Sequence, residues 1–275
     1  MKQNKKVIVI VFVLMLSVLF AVSANAATEM VSIDFTGFDG SGFSSGAGAP
    51  PAGQLDSDMW AVTGFSDGDI NFQSNCNSGD CARGTSTGGV GTGGIYAFNV
   101  GAGDMILGVQ PGGSDFTPGT LTLRMRNNTG AVVSSVNVSY DIYYYNDQPR
   151  ANSLNFAYST DDSTYTPVPS EDFTTPEAAD GSPAWAVDAH SFTLSGLSIP
   201  DNGLFYIQWQ GDDVSGGGSR DEYGIDNITV TSLDPTAVSL QSFTSNNNTT
   251  IPILATILIA LFALGTIAIW KRQQS

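Results

Sequence analysis

Between residues 27 and 233 apolar side chains recur at every second position, with no helical periodicity. That period confines the segment to strands. Successive side chains of a strand point to opposite faces, whereas a helix returns to one face every 3.6 residues. Val136, Val138, Tyr140, Ile142 and Tyr144 hold one face over nine positions. Leu121, Leu123 and Met125 alternate with Thr122, Arg124 and Arg126. Leu154, Phe156 and Tyr158 follow the same rule, as do Phe205, Ile207 and Trp209. Turn residues stand between the runs: Asn128-Thr129-Gly130, Asp161-Asp162-Ser163 and Asp201-Asn202-Gly203. About eleven short strands are expected on this pattern. So many half-buried strands close a core by packing two sheets together. The expectation is an all-β, two-sheet antiparallel sandwich of jelly-roll type. Of the 31 glycines, 20 lie between Gly37 and Gly113, where strands should be sparse; Ser41 to Gly53 is low in complexity and expected to be irregular.

Charge narrows the function classes. The lysines sit only at the ends (Lys2, Lys5, Lys6 and Lys271), and Arg272 follows Lys271. The interior holds five arginines against 26 acidic residues, a net of −21. Nucleic-acid binding needs a basic footprint and is excluded as a partner class. Lysine chemistry such as a Schiff base or a P-loop has no residue to use.

The two ends read as addressing and anchoring segments. Lys2 to Lys6 is a basic n-region, Val7 to Val22 an apolar run, and Ala24-Asn25-Ala26 a small-x-small cleavage signal, so residues 1–26 are expected to be a secretory signal peptide. Ile251 to Trp270 carries no charge. Its 20 residues make about 30 Å of helix, one bilayer core. Lys271-Arg272 follows directly, which by the positive-inside rule puts the 271–275 tail in the cytoplasm. Residues 234–250, rich in Ser, Thr and Asn, are expected to be a flexible polar spacer. An extracellular domain at 27–233 would thus be anchored in the membrane by a transmembrane helix at 251–270. Cys76 and Cys81 are the only cysteines; in an exported chain the expectation is one disulfide closing a small loop.

Three stretches resemble a recurrent module of bacterial extracellular proteins. They are Asn127 to Gly130 with Val136 to Asp141, Leu154 to Asp161, and the Gly/Ser loop from Gly216 into Asp221-Glu222-Tyr223-Gly224-Ile225-Asp226-Asn227-Ile228. The last is similar to the end of jelly-roll modules found beside secreted nucleases, and of meprin-type (MAM) and concanavalin-like adhesion domains. Those begin on an Asp-Phe strand, as here at Asp34-Phe35. The C-terminal layout resembles bacterial sorting segments, although no Leu-Pro-x-Thr-Gly motif is present. The resemblance implies a jelly roll with a binding or structural role and no activity of its own.

Calcium is the natural cation for a chain so rich in carboxylates. Asp226 alternates with Ile228 and Val230 on one face, with Ile225 on the other, so it should be partly buried and in need of a cation or several donors. Such domains often carry a structural ion, and the resemblance implies a Ca2+ site using Asp226 with Asp34; Asp221 and Glu222 are further candidate ligands. Glycan binding uses aromatic platforms. Tyr143 and Tyr145 point away from the core face and, with Trp185, are the candidate ligand-binding residues; Trp60 is also available, while Trp209 alternates with core residues. An enzyme finds little support. The one histidine, His190, has Asp188 nearby but no Gly-x-Ser-x-Gly elbow. Adjacent Asp221 and Glu222 point to opposite faces and cannot flank one glycosidic bond. The expectation is a membrane-anchored, non-catalytic surface binding or adhesion module, with an extracellular polysaccharide or surface protein as partner. A passive matrix protein and a glycan hydrolase are the alternatives.

Overall fold

The computed structural model describes residues 27–234. The signal segment, the 251–270 segment, the 271–275 tail and the spacer beyond Asp234 lie outside the described residues.

The described chain forms fifteen strands: β1 (Thr28–Ile33), β2 (Phe38–Ser44), β3 (Gly53–Asp56), β4 (Trp60–Thr63), β5 (Thr85–Ser86), β6 (Gly94–Gly101), β7 (Asp104–Gln110), β8 (Gly119–Arg126), β9 (Val133–Tyr145), β10 (Arg150–Ser159), β11 (Thr166–Pro167), β12 (Phe173–Thr174), β13 (Trp185–Ile199), β14 (Leu204–Gly216) and β15 (Glu222–Ser232). A front sheet runs β13-β9-β15-β7-β6-β5, and a back sheet runs β11-β10-β14-β8-β4. β12 lies beside β10, and β2 pairs with β3 separately. Pairing is antiparallel except for β5 with β6 and β2 with β3. The sandwich is the one the alternation predicts.

The core lies between the two sheets. Front-sheet Tyr140 stacks on back-sheet Phe156 with ring centroids 5.5 Å apart and meets Trp209 edge-on at 5.2 Å. Phe116 packs on Tyr223 at 6.2 Å. Trp60 is only 2% exposed and stacks near Trp209, so it is core and unavailable as a binding platform.

Strand β15 carries an irregularity that decides which way its acidic residues point. β9 pairs along one of its edges. The other edge is shared: β7 takes Tyr223–Ile225 and β1 takes Ile228–Ser232. At the changeover the register with β9 slips between Asp226 and Thr229, and Asn227 has φ 51°. Such a bulge resets the two-residue alternation. Tyr223 and Ile225 face the core before it, and Ile228 and Val230 after it. Asp226 therefore does not share a face with Ile228 and Val230, as simple alternation predicts; it points from the outer face.

The glycine-rich stretch is more ordered than its composition suggests. Ser41 to Ser44 belong to β2, and Phe43 exchanges backbone hydrogen bonds with Cys76. Cys76 and Cys81 form the expected disulfide, with Cα atoms 6.2 Å apart.

Candidate functional site

Residues that alternate away from the core on the front sheet gather into one patch. Trp185 of β13 stands opposite Tyr145 of β9, and Tyr145 opposite Glu222 of β15. One row along, Tyr143 faces Gly224, Gly224 faces Gly108, and Gly108 faces Tyr96. The two glycines leave the middle of the row without side chains, and the Phe98 ring lies across Gly108, where a Cβ would run into it. Tyr96, Phe98 and Ile106 form a small second core on this outer face, with Val90, Val100, Tyr143 and Trp185 packed against it. Tyr96 stacks on Phe98 at 5.1 Å, and Trp185 sits 5.1 Å from Phe98 and 5.4 Å from Tyr145.

The three aromatics expected from the sequence are thus brought together, and each is half-buried with part of its ring open. Tyr96 and Phe98 beneath them were not anticipated. Their signal is present in Tyr96-Ala97-Phe98, but it sits inside the glycine-rich region, where strands are expected to be sparse.

The loop from Ser86 to Gly93 borders the patch. The Trp185 indole N–H donates to the Thr87 carbonyl at 2.8 Å, which fixes the ring. The Val90 N–H donates to Glu222 Oε1 at 2.5 Å, and the Tyr96 hydroxyl donates to the Thr92 carbonyl at 3.0 Å. Gly88 lies against the Tyr145 ring.

Carboxylates flank the aromatics in two groups. Asp226 is 1% exposed and faces Asp141 across the strands; neither of its carboxylate oxygens has a hydrogen-bond partner among the described residues. Burial, reinforced by the charges of Asp104, Asp34 and Asp141, outweighs the opposing pull of the adjacent Asn227 N–H and pushes its carboxyl up to about 7. At the other end Glu222 and Asp221 are fully buried. Asp221 Oδ1 accepts from the Gln148 N–H at 2.9 Å, and burial pushes Asp221 up to about 6. Burial and neighbouring Asp147 hold Glu222 well above the ordinary carboxylate range. Glu222 and Asp226 stand four residues apart on one strand, about 13 Å. The four candidate calcium ligands therefore divide: Asp34 lies near Asp226, and Asp221 with Glu222 lies near Asp147. Among the described residues no three carboxylate, histidine or cysteine side chains converge as a metal cluster.

His190 stacks on Tyr140 at 4.7 Å, and its Nδ1 lies 3.0 Å from Glu171 Oε2. Packing against the core accounts for it.

No family model matches the chain, and no curated protein matches it. Among solved structures it is similar to the CBM22-1 xylan-binding domain of Xyn10C from Paenibacillus barcinonensis, 9% identical over 77% of this chain and 99% of that one, with TM-score 0.35. It is similar to the K3 cleaved adhesin domain of Lys-gingipain from Porphyromonas gingivalis, 10% identical over 75% and 99%, with TM-score 0.38. A third is CBM28, a carbohydrate-binding module specific for non-crystalline cellulose, 14% identical over 51% and 80%, with TM-score 0.35. All three TM-scores lie below 0.5, so the ligand class has to be read from the residues of the face itself.

Proposed function

We propose that the chain is an exported surface module, of jelly-roll type and held by a membrane helix at 251–270, that binds neutral glycan on the outer face of its front sheet without catalysing a reaction on it. The observation that carries this reading is the set of Tyr143, Tyr145 and Trp185 side chains, each half-buried, with Tyr143 and Trp185 seated on the buried Tyr96–Phe98 pair and Tyr145 against Trp185. A sugar ring offers an apolar C–H face and a rim of hydroxyls. Fixed aromatics match the first, and nearby carboxylates such as Asp141 and Asp104 accept from the second. Because the Trp185 ring is already fixed by its bond to Thr87, little side-chain freedom is lost on binding.

A calcium ion belongs to the same proposal. A buried carboxylate with three acidic neighbours, Asp104, Asp34 and Asp141, and no arginine paired with it fits a cation. Asp226 with Asp34 would hold the ion, with carbonyl and water oxygens completing its shell; its charge would remove the repulsion among the acids.

Binding of the full chain in detergent to a panel of soluble neutral polysaccharides, by affinity electrophoresis, tests the reading. Retardation by at least one polymer, lost in Trp185→Ala, is expected. No retardation combined with self-association in light scattering would favour the passive matrix role.

A further inference from the structure

A cavity of ≈ 460 Å3, away from the front-sheet patch, is lined by Arg124 and Arg126 of back-sheet strand β8. That volume is ordinary for a small-molecule site. These two arginines differ from the other three. Arg83 is paired with Asp80, and Arg150 and Arg220 are both paired with Asp213. Arg124 and Arg126 make no ion pair among the described residues, although acids outnumber cations 26 to 5 in the interior of this chain. Both donate to backbone carbonyls instead. Arg124 Nε and Nη2 reach the Asp58 carbonyl at 2.9 and 2.5 Å, and Arg126 Nη1 reaches the Asn202 carbonyl at 2.5 Å. A carbonyl occupies a donor without cancelling the charge, and each guanidinium keeps further N–H groups free. Arg124 also lies over the Phe72 ring, its Cζ 4.3 Å from the centroid, which holds the fork in place.

The rest of the lining is mixed. Met30, Met59 and Leu204 supply an apolar wall, and Gln73 and Asn128 supply amides; Met125 turns its side chain into the core. Asp58 is the one acid in the lining, so the cavity carries a net +1 inside a strongly negative domain. We infer that this cavity binds an acidic sugar, with the arginines holding its carboxylate. The guanidinium forks match a carboxylate's geometry, Met30 and Met59 cover the C–H face of the ring, and the amides serve its hydroxyls. The inference stands apart from the front-face reading and uses none of its residues.

Calorimetric titration of the full chain in detergent with trigalacturonate tests it, beside galactotriose and triglutamate. Trigalacturonate should bind at least tenfold more tightly than either. Arg126 is exposed and bonds only one carbonyl, so Arg126→Gln should keep the fold and weaken trigalacturonate binding tenfold or more. Arg124→Gln should do the same, with a melting curve to confirm folding. Tyr145→Ala and Trp185→Ala should leave this binding unchanged, which separates its outcome from that of the front face. Equal affinity in both arginine variants would overturn the inference. So would equal binding of galactotriose, which needs no charge, or of triglutamate, which would make the site one for acidic peptides.

Discussion

Asp221, Glu222 and Asp226 are all buried at the start of β15, and burial raises each of them. Their folded pKa values lie above the unfolded ones, so the folded chain keeps their protons to higher pH. Their contribution to stability is full below pH ~4, where the unfolded carboxyls also hold protons, and is lost as pH rises through the folded values, about 6 for Asp221 and about 7 for Asp226. In chelator the melting temperature should therefore fall from pH 5 to about pH 8, opposite to ordinary acid denaturation. Asp226→Asn in chelator should stabilise the fold at pH 8 by about 1–3 kcal/mol, because it removes a buried charge repelled by its acidic neighbours, and flatten part of that slope. Thermal melts across the pH range check both statements. Added calcium should raise the parent's melting temperature at pH 8 and leave Asp226→Asn unmoved. Beside it, Asn227 sits at φ 51°, where asparagine and glycine are tolerated and other residues are strained. Asn227→Ala should cost about 1–2 kcal/mol in chemical denaturation, and Asn227→Gly less.

At the scale of elements, strands that run without interruption were legible from alternation alone. β9 and β14 lie where Val136 to Tyr144 and Phe205 to Trp209 place them, with Tyr143 and Tyr145 outward as the pattern requires. What alternation could not carry is the changeover of partner along β15. It arises because β7 and β1 share one edge, a long-range fact with no local sequence signature, and it turns Ile228 and Val230 to the core, leaving Asp226 on the outer face. The glycine-rich strands were obscured for a related reason. Glycines at positive φ such as Gly40 and Gly42 let backbones approach closely, as at Gly42 against the Cys76 carbonyl, so ordered structure there resembles loop composition. The Cys76–Cys81 bridge closes a loop beside β2, with a sequence separation of 5. Replacing both cysteines by alanine should lower stability by about 2 kcal/mol, as expected for so small a ring, with the front face still folded.

At the scale of the molecule, a net of −21 between the chain's ends coexists with two surfaces of different chemistry, both proposed for recognition: open aromatics edged with carboxylates, and a cavity with two arginines outside any ion pair. The charge of the whole favours neutral ligands on the acidic face, since an anionic chain would meet repulsion there over about 8 Å at physiological salt. The aromatic face was legible in three of its residues, because outward alternation marks them. The cavity was not, because the lack of an ion pair at Arg124 and Arg126, which donate to the Asp58 and Asn202 carbonyls, emerges only when distant segments meet. The most direct measurement of the central claim is the affinity of the full chain in detergent for the neutral polysaccharide that retards it most, compared with Tyr145→Ala and Trp185→Ala. The account predicts a loss of tenfold or more in each variant, with far-UV circular dichroism unchanged. Undiminished affinity in both, or no neutral polysaccharide bound by the parent, would contradict it.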